Sequence, residues 1–252
     1  MANRNGLFIV HRGSSYAKAW QALNALADQF ATKLDHYDVK LALTSTRAVQ
    51  KLQARGFDAK TVENQIFDSK YDTITILPLM LFEGNEYESL ANDHLKYYRS
   101  DQLHLLPPLM TCEEEIIAFS KSLAATLPDG PVLLVGHGSA TEANLIYEQI
   151  EKALRQMKKN HDIFVTTLLE TPKSVLSRLQ STNVQNLTLI PLMLTAGYHV
   201  TKDIFGENSI ESVLSDAQIK VDVINEGLIE NALIQSYIMT KLNKSLEEAN
   251  GI

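Results

Sequence analysis

Cysteine is nearly absent from this sequence of 252 residues, which contains Cys112 and no other. A single thiol cannot form an intrachain disulfide, and it has no partner with which to build a thiolate zinc cluster. This usage is typical of proteins that work in a reducing compartment, and we expect a cytoplasmic location.

Long apolar segments and basic segments are missing as well. The apolar stretch near the N-terminus covers only residues 7–10, which is too short for a secretory signal, and no run approaches a membrane span. No block of Lys and Arg occurs, and the formal net charge is −7. We therefore expect neither nucleic acid nor a membrane as a partner.

What the sequence does contain is an alternation of short β-forming apolar runs with longer segments of helical periodicity. The runs cover 6–10, 37–43, 73–81, 103–109, 131–135, 162–168, 186–194 and 219–224. The helical segments lie near 15–33, 46–55, 86–97, 112–126, 141–158, 172–181, 208–216 and 229–248. This alternation predicts an α/β fold in which parallel sheets are flanked by helices.

The pattern of alternating β runs and helical segments occurs twice, once in each half of the sequence. Pro-Leu-Met-Leu follows a β run at 78–81 and again at 191–194, and Gly-Ser follows the first run of each half at 13–14 and 138–139. The long distance along the sequence between the two copies of each motif indicates a duplication rather than an array of short repeats. We predict two similar α/β domains, residues 1–126 and 127–252, with a ligand cleft between them at the carboxyl ends of their strands.

The last helical segment carries an apolar stripe that can pack on either domain, the N-terminal one included, or on another subunit. We expect it to pack within the chain, and a homo-oligomer stays open.

His137 lies between two glycines where the first run of the second half ends. The segment lacks the lysine and the third glycine of phosphate-binding loops, and a hydrolase turn would place a serine at its apex. A metal ligand and a simple turn residue both remain open for this histidine.

Two further polar residues follow neighbouring runs of the second half. His199 comes after the second Pro-Leu-Met-Leu, and Glu170 follows the run at 162–168. Two imidazoles and a carboxylate at neighbouring strand ends suit a divalent transition metal with open coordination positions. Glu170 is equally well placed to be the N-terminal carboxylate of the helix that begins near Pro172. The equivalent loop of the first half offers Glu83, Glu86 and Glu88, which also fit an acidic helix start.

Three segments, in this order, resemble the CbiK-type anaerobic cobaltochelatases: "VGHGSATEANLIYEQI", "LLETP" and "PLMLTAGYHVTKDIFGENSIESVL". In the first half, "GSSYAKAW", "LALTSTRAVQKLQARG" and "PLMLFEGNEYESL" agree with the same family. The resemblance covers about residues 6–242. It implies two chelatase-type α/β domains and a lyase-type enzyme that inserts Co²⁺ into sirohydrochlorin without ATP, in anaerobic cobalamin biosynthesis. Co²⁺ is then a substrate, and no prosthetic group is expected.

The resemblance also implies roles for individual residues. His137, Glu170 and His199 correspond to the metal ligands, and His137 and His199 are expected to be catalytic, with His137 as a proton acceptor. Glu86 corresponds to a catalytic carboxylate of the first domain. Carboxylated tetrapyrroles need local cations, for which Arg12 and Lys202 are candidates unless they are ordinary surface charges, and Ser14 shares the turn of Arg12.

The chain departs from the family pattern at two of these places. His11-Arg12 replaces the usual Ser-Phe before the first Gly, and Lys202 replaces an asparagine. Fe²⁺ or Ni²⁺ in place of Co²⁺, a ferrochelatase acting on sirohydrochlorin or another porphyrinoid, and a non-catalytic tetrapyrrole- or metal-binding protein are the alternatives.

Overall fold

A computed structural model describes residues 4–67, 71–96, 98, 102–139, 144–159 and 162–249. By internal contacts the chain forms two compact units, Met1–Thr111 with Gln235–Ile252, and Cys112–Ile234. Within the described part of the chain, no helix is long and apolar enough to cross a membrane.

The first unit is built on four parallel strands. They are β1 (Asn5–His11), β2 (Tyr37–Leu43), β3 (Thr73–Pro78) and β4 (Leu103–Leu105), in the order β2-β1-β3-β4. Its helices are α1 (Ala17–Lys33), α2 (Thr46–Gln53), α3 (Val62–Phe67), α4 (Asn85–Ser89) with a π-helical turn at Leu90–His94, and most of α9 (Ala232–Ala249). The apolar residues of the central strand β1 are fully covered, as expected for a parallel strand with helices on both faces.

The second unit repeats this plan. Its strands are β5 (Val132–Gly136), β6 (Ile163–Thr167), β7 (Asn186–Pro191) and β8 (Lys220–Val223), all parallel and in the order β6-β5-β7-β8. Its helices are α5 (Glu113–Ala124), α6 (Leu145–Met157), α7 (Pro172–Gln180) and α8 (Ile210–Asp216), with a π-helical turn at Val200–Ile204 and a 3₁₀ turn at Leu228–Glu230. The described residues therefore confirm the predicted α/β class and the two similar domains.

The two Pro-Leu-Met-Leu segments occupy equivalent places in the two sheets. Pro78 is paired with Val10, and Pro191 is paired with Val135, each at the end of its strand. Proline has no N–H to donate, and the following leucine makes the next bond, 2.7 Å in the first unit and 2.8 Å in the second. The last two carbonyls of each motif then accept backbone N–H groups, from Leu109 and Met110 in one unit and from Leu228 and Ile229 in the other.

Several element boundaries differ from the sequence prediction. The strands expected at 73–81 and 186–194 end at their prolines, and the strand expected at 103–109 ends at 105, before Pro107-Pro108. The helix expected near 86–97 consists of α4 and the π-helical turn. Of the helix near 141–158, residues 145–157 are observed, and 141–143 lie outside the described residues.

Helix α3 was not predicted from the sequence because it has fewer than two turns. It is held by the buried side chains of Val62 and Ile66, and Glu63 pairs with His94 of the π-helical turn.

The division by contacts does not coincide with a boundary after residue 126. Helix α5 packs against α6 of the second unit, while α9 belongs with the first unit from Gln235 onward. Within that unit, the Tyr237 hydroxyl donates to the Leu109 carbonyl at 2.6 Å. The domain ranges 1–126 and 127–252, and the cleft between the domains, stay predictions.

Candidate metal-insertion site

His137 is presented by a tight turn at the end of β5. Gly138 has φ of +85°, a conformation that disfavours other residues, and Gly136 leaves room for the Tyr147 ring, which a Cβ would meet at 2.1 Å. The Gly138 N–H donates to the Tyr147 hydroxyl at 3.3 Å, so α6 supports the turn. His137 itself is exposed, and its Nδ1 lies 3.2 Å from the Gly138 carbonyl. Because a carbonyl only accepts, Nδ1 carries the proton of the neutral ring and Nε2 keeps its lone pair.

His199 is presented by the helical turn that follows β7 and Gly197. Its Nδ1 lies 2.6 Å from Asp203 Oδ2, one helical turn later. A carboxylate in this place fixes the tautomer and leaves Nε2 available, which is the arrangement usual for metal-binding histidines. Asp203 was not predicted as a functional residue, although its i+4 spacing from His199 on a helix is visible in the sequence.

The two imidazoles are neighbours. Their ring centroids are 4.7 Å apart, and the rings are close to perpendicular, at 87°. At this separation one nitrogen of each ring is within reach of the same ion, since a metal lies about 2.0–2.1 Å from an imidazole nitrogen. The spacing therefore permits both histidines to bind one ion.

Glu170 is occupied by neighbours of its own. Its carboxylate accepts from Thr166 Oγ1 at 2.5 Å and from Ser174 Oγ at 2.9 Å, and Arg178 Nη1 lies 3.5 Å away. It lines a groove of about 870 Å³ formed by α6, β6 and α7. Among the described residues, no group of three or more His, Cys, Asp and Glu side chains is placed to hold a metal ion. The structure brings the two histidines together but does not bring Glu170 to them.

The groove beside Glu170 is lined by charged side chains that cover the edge of β6. Glu151 accepts from the Val165 N–H at 2.6 Å and from Arg178 Nη2 at 2.8 Å. Arg178 and Arg155 donate in turn to the Val165 and Ile163 carbonyls. These contacts satisfy an edge strand that otherwise presents unpaired backbone groups.

Arg12 and Glu86 of the first unit form an ion pair, with Arg12 Nη1 2.5 Å from Glu86 Oε1. Beside them, His11 Nδ1 accepts the Gly13 N–H at 2.9 Å, which places the proton of the neutral ring on Nε2. Burial lowers the pKa of His11 to about 4; Arg12 acts in the same direction and Glu86 opposes it. The ring is therefore uncharged at neutral pH. No pattern in the sequence predicts that the charged pair lies beside a neutral imidazole.

The other two predicted substrate-binding residues are placed differently. Ser14 Oγ accepts the Tyr16 N–H at 3.2 Å and shapes the entry into α1. Lys202 is exposed on the π-helical turn of the second unit, beside Asp203.

Large apolar side chains lie exposed next to the histidines. Tyr198 is 56% exposed, and its ring contacts that of His199 with centroids 5.6 Å apart. Leu169 is 59% exposed and lies against Gly138. Solvent-exposed side chains of this size beside two imidazoles offer an apolar surface to a flat ligand. Neither residue was predicted from the sequence, because a lone exposed Tyr or Leu has no distinctive pattern.

Comparison with known proteins decides the family. The model of the cobalt chelatase (CbiK) family matches residues 5–247, nearly the whole chain. The chain belongs to the CbiK cobalt chelatase family.

Related proteins and structures agree with this membership. The sirohydrochlorin cobaltochelatase of Salmonella typhimurium is 23% identical over 258 residues, which cover 98% of each chain. The sirohydrochlorin cobaltochelatase CbiKC of Nitratidesulfovibrio vulgaris is 24% identical over 215 residues, 81% of this chain and 76% of that protein. Cobalt-bound SirB from Bacillus subtilis subspecies spizizenii has the same fold, with a TM-score of 0.62, 15% identity and coverage of 98% and 97% of the two chains. The resemblance noted in the sequence is thus confirmed, and the protein is a metal chelatase of this family.

Proposed function

We propose that this member of the CbiK family inserts Co²⁺ into sirohydrochlorin without a nucleotide, and that His137 and His199 hold the incoming ion. The contact between these two imidazoles carries the proposal. Two neutral nitrogen ligands bind first-row divalent ions well and leave coordination positions for the pyrrole nitrogens.

The chemistry assigned to each residue follows from its surroundings. Metal insertion removes two pyrrole N–H protons, and an imidazole nitrogen with a free lone pair can accept one of them. We assign this step to Nε2 of His137, which can take the proton once the ion has passed from it to the pyrrole nitrogens, because its Nδ1 is engaged with the Gly138 carbonyl. His199, oriented by Asp203, is the second ligand. Glu86 is assigned the other proton, and Arg12, Ser14 and Lys202 are assigned to the carboxylates of the macrocycle.

Glu170 is proposed as a third ligand that joins the ion on binding. To do so its carboxylate has to leave the hydroxyls of Thr166 and Ser174 and the Arg178 guanidinium. The Glu170 side chain is 32% exposed, so its contacts exchange more readily than those of a fully buried ion pair. A negative ligand also offsets part of the charge of the divalent ion before the pyrrole protons depart.

The test is the initial rate of metal insertion into sirohydrochlorin under anaerobic conditions, measured side by side with Co²⁺, Fe²⁺ and Ni²⁺. We expect the wild type to exceed the non-enzymatic rate and to do so most strongly with Co²⁺. His137→Ala should lower the rate by about 100-fold or more, the usual contribution of a general base.

The matched control is His36→Ala, since His36 is a solvent-exposed imidazole with a side-chain exposure of 88%. Its rate should equal that of the wild type. A wild-type protein that binds sirohydrochlorin but never metalates it refutes the chelatase proposal and indicates a carrier instead. A larger acceleration with Fe²⁺ than with Co²⁺ indicates a ferrochelatase.

A further inference from the structure

The ion pair of the first unit occupies the positions that the two imidazoles occupy in the second. Arg12 precedes the Gly-Ser of β1 as His137 precedes that of β5, and Glu86 and His199 each lie two residues after the glycine that follows Pro-Leu-Met-Leu. In each unit, these positions lie at the ends of two neighbouring strands, β1 and β3 or β5 and β7. The duplicated frame therefore brings together a cation and a carboxylate in one unit and two metal-binding side chains in the other.

The contact between Arg12 and Glu86 is of a kind that exchanges readily. It joins one guanidinium nitrogen to one carboxylate oxygen, and the two side chains are 62% and 48% exposed. Exposed pairs of this kind contribute little to stability, whereas a carboxylate that engages two nitrogens of the guanidinium fork binds more strongly. The fold places the two side chains next to each other, but the contact between them can break and re-form.

No other group of the cluster can replace the guanidinium. His11 is uncharged, and its Nδ1 is used by the Gly13 N–H. Within the group formed by His11, Arg12 and Glu86, a carboxylate therefore meets the Arg12 guanidinium, which already has an internal carboxylate partner.

We propose that Arg12 and Glu86 form a carboxylate-exchange site, in which a carboxylate of the tetrapyrrole displaces Glu86 from Arg12 and thereby releases the Glu86 carboxylate. This inference rests on the proposed function for the identity of the ligand. It couples two roles that the sequence assigned separately: binding at Arg12 makes Glu86 available as a proton acceptor, so that Glu86 is unpaired only when a substrate is present.

Binding of metal-free sirohydrochlorin tests the exchange without any catalytic readout. Its Kd is measured by fluorescence quenching for the wild type, Arg12→Gln, Glu86→Gln and the double variant. Arg12→Gln removes the receptor and should weaken binding by about tenfold, as expected for a hydrogen bond to a charged group. Glu86→Gln removes the internal competitor and should tighten binding by about two- to fivefold, the upper part of the range that an exposed ion pair contributes.

The double variant separates competition from a general charge effect. If Glu86 competes for Arg12, Glu86→Gln gives no tightening once Arg12 has been replaced. Tightening that persists in the Arg12→Gln background shows a long-range effect of charge and overturns the proposal. An unchanged Kd for Glu86→Gln alone shows that the ligand binds beside Glu86, and overturns it too.

Two surface variants of the same unit provide matched controls, Glu248→Gln from an exposed ion pair of α9 and Lys33→Gln from the last turn of α1. Each makes a comparable change of charge away from the cluster and should leave the Kd within twofold of the wild type. Metalation of sirohydrochlorin without this coupling would overturn the exchange inference but not the chelatase proposal. Coupling without metalation would overturn the chelatase proposal but not the exchange.

Discussion

Replacement of Asp203 by asparagine should weaken Co²⁺ binding while leaving the fold intact. The 2.6 Å contact between Asp203 Oδ2 and His199 Nδ1 is charge-assisted, and asparagine keeps its shape but not its charge. The amide polarises the imidazole less than the carboxylate does, so Nε2 becomes a poorer donor to the metal.

The size of the effect can be worked out from the contact. Loss of a partner that orients a metal-binding histidine costs about 10–100-fold in affinity, or about 1.4–2.7 kcal/mol. The side chains of His199 and Asp203 are 50% and 44% exposed, so water screens part of the interaction. We therefore expect the lower end of that range, a loss of about tenfold for Asp203→Asn.

The assay is a Co²⁺ titration of the tetrapyrrole-free protein by calorimetry or by competition with a chromogenic chelator. His199→Ala sets the full loss of the ligand, and Asp216→Asn, an exposed carboxylate at the end of α8, is the control. A Kd for Asp203→Asn within twofold of the wild type would refute the reasoning, as would an equal loss in Asp216→Asn. Circular dichroism and thermal melting of each variant check that the fold is kept.

Three further outcomes concern stability. Glu151→Gln should lower the free energy of unfolding by about 2–4 kcal/mol, because it breaks a partly buried charge network and weakens the acceptor of the Val165 N–H. Urea denaturation measures this loss. An equal loss in Glu248→Gln, a variant of an exposed ion pair, would contradict the prediction. Gly136→Ala should cost about 1–3 kcal/mol by forcing the Tyr147 ring away from the turn, whereas Gly84→Ala, where a Cβ comes only within 3.9 Å of Phe82, should melt near the wild type. Because the pKa of His11 is lowered to about 4, the fold loses up to about 3 kcal/mol of stability as the pH falls from 6.5 to about 4, since the unfolded chain takes up the proton first. His11→Asn should remove this part of the pH dependence of unfolding, and an unchanged slope would show that other groups cause it.

The sequence predicts the strands, helices and domain plan of this protein better than it predicts the hydrogen bonds and side-chain contacts within them. Alternating periodicity and the repeated Pro-Leu-Met-Leu are local signals, and they lead to the two parallel sheets. The sequence predicts a strand that continues past the proline at which β3 ends, because side-chain hydrophobicity does not report which backbone N–H groups are paired. Helix α3 was missed because its few residues are stabilised by tertiary packing rather than by periodicity.

The candidate site shows the same limit. Residues His137 and His199 could be chosen because each follows a strand whose end the topology places beside the other. Glu170 could be placed at a third strand end, but its side-chain partners Thr166 and Ser174 depend on rotamers, which a sequence does not specify. The neutral state of His11 likewise depends on burial by residues that are distant along the chain.

The backbone bonds made by the two Pro-Leu-Met-Leu segments have a consequence for how this molecule can change. Because main-chain groups hold both ends of each motif, the functional positions beside it are free to vary without loss of the frame. A gene duplication on such a frame yields two copies that can diverge in chemistry while sharing one architecture. The same property makes the chain a scaffold for redesign. The substitutions Arg12→His and Glu86→His would give one polypeptide with two pairs of histidines at equivalent positions.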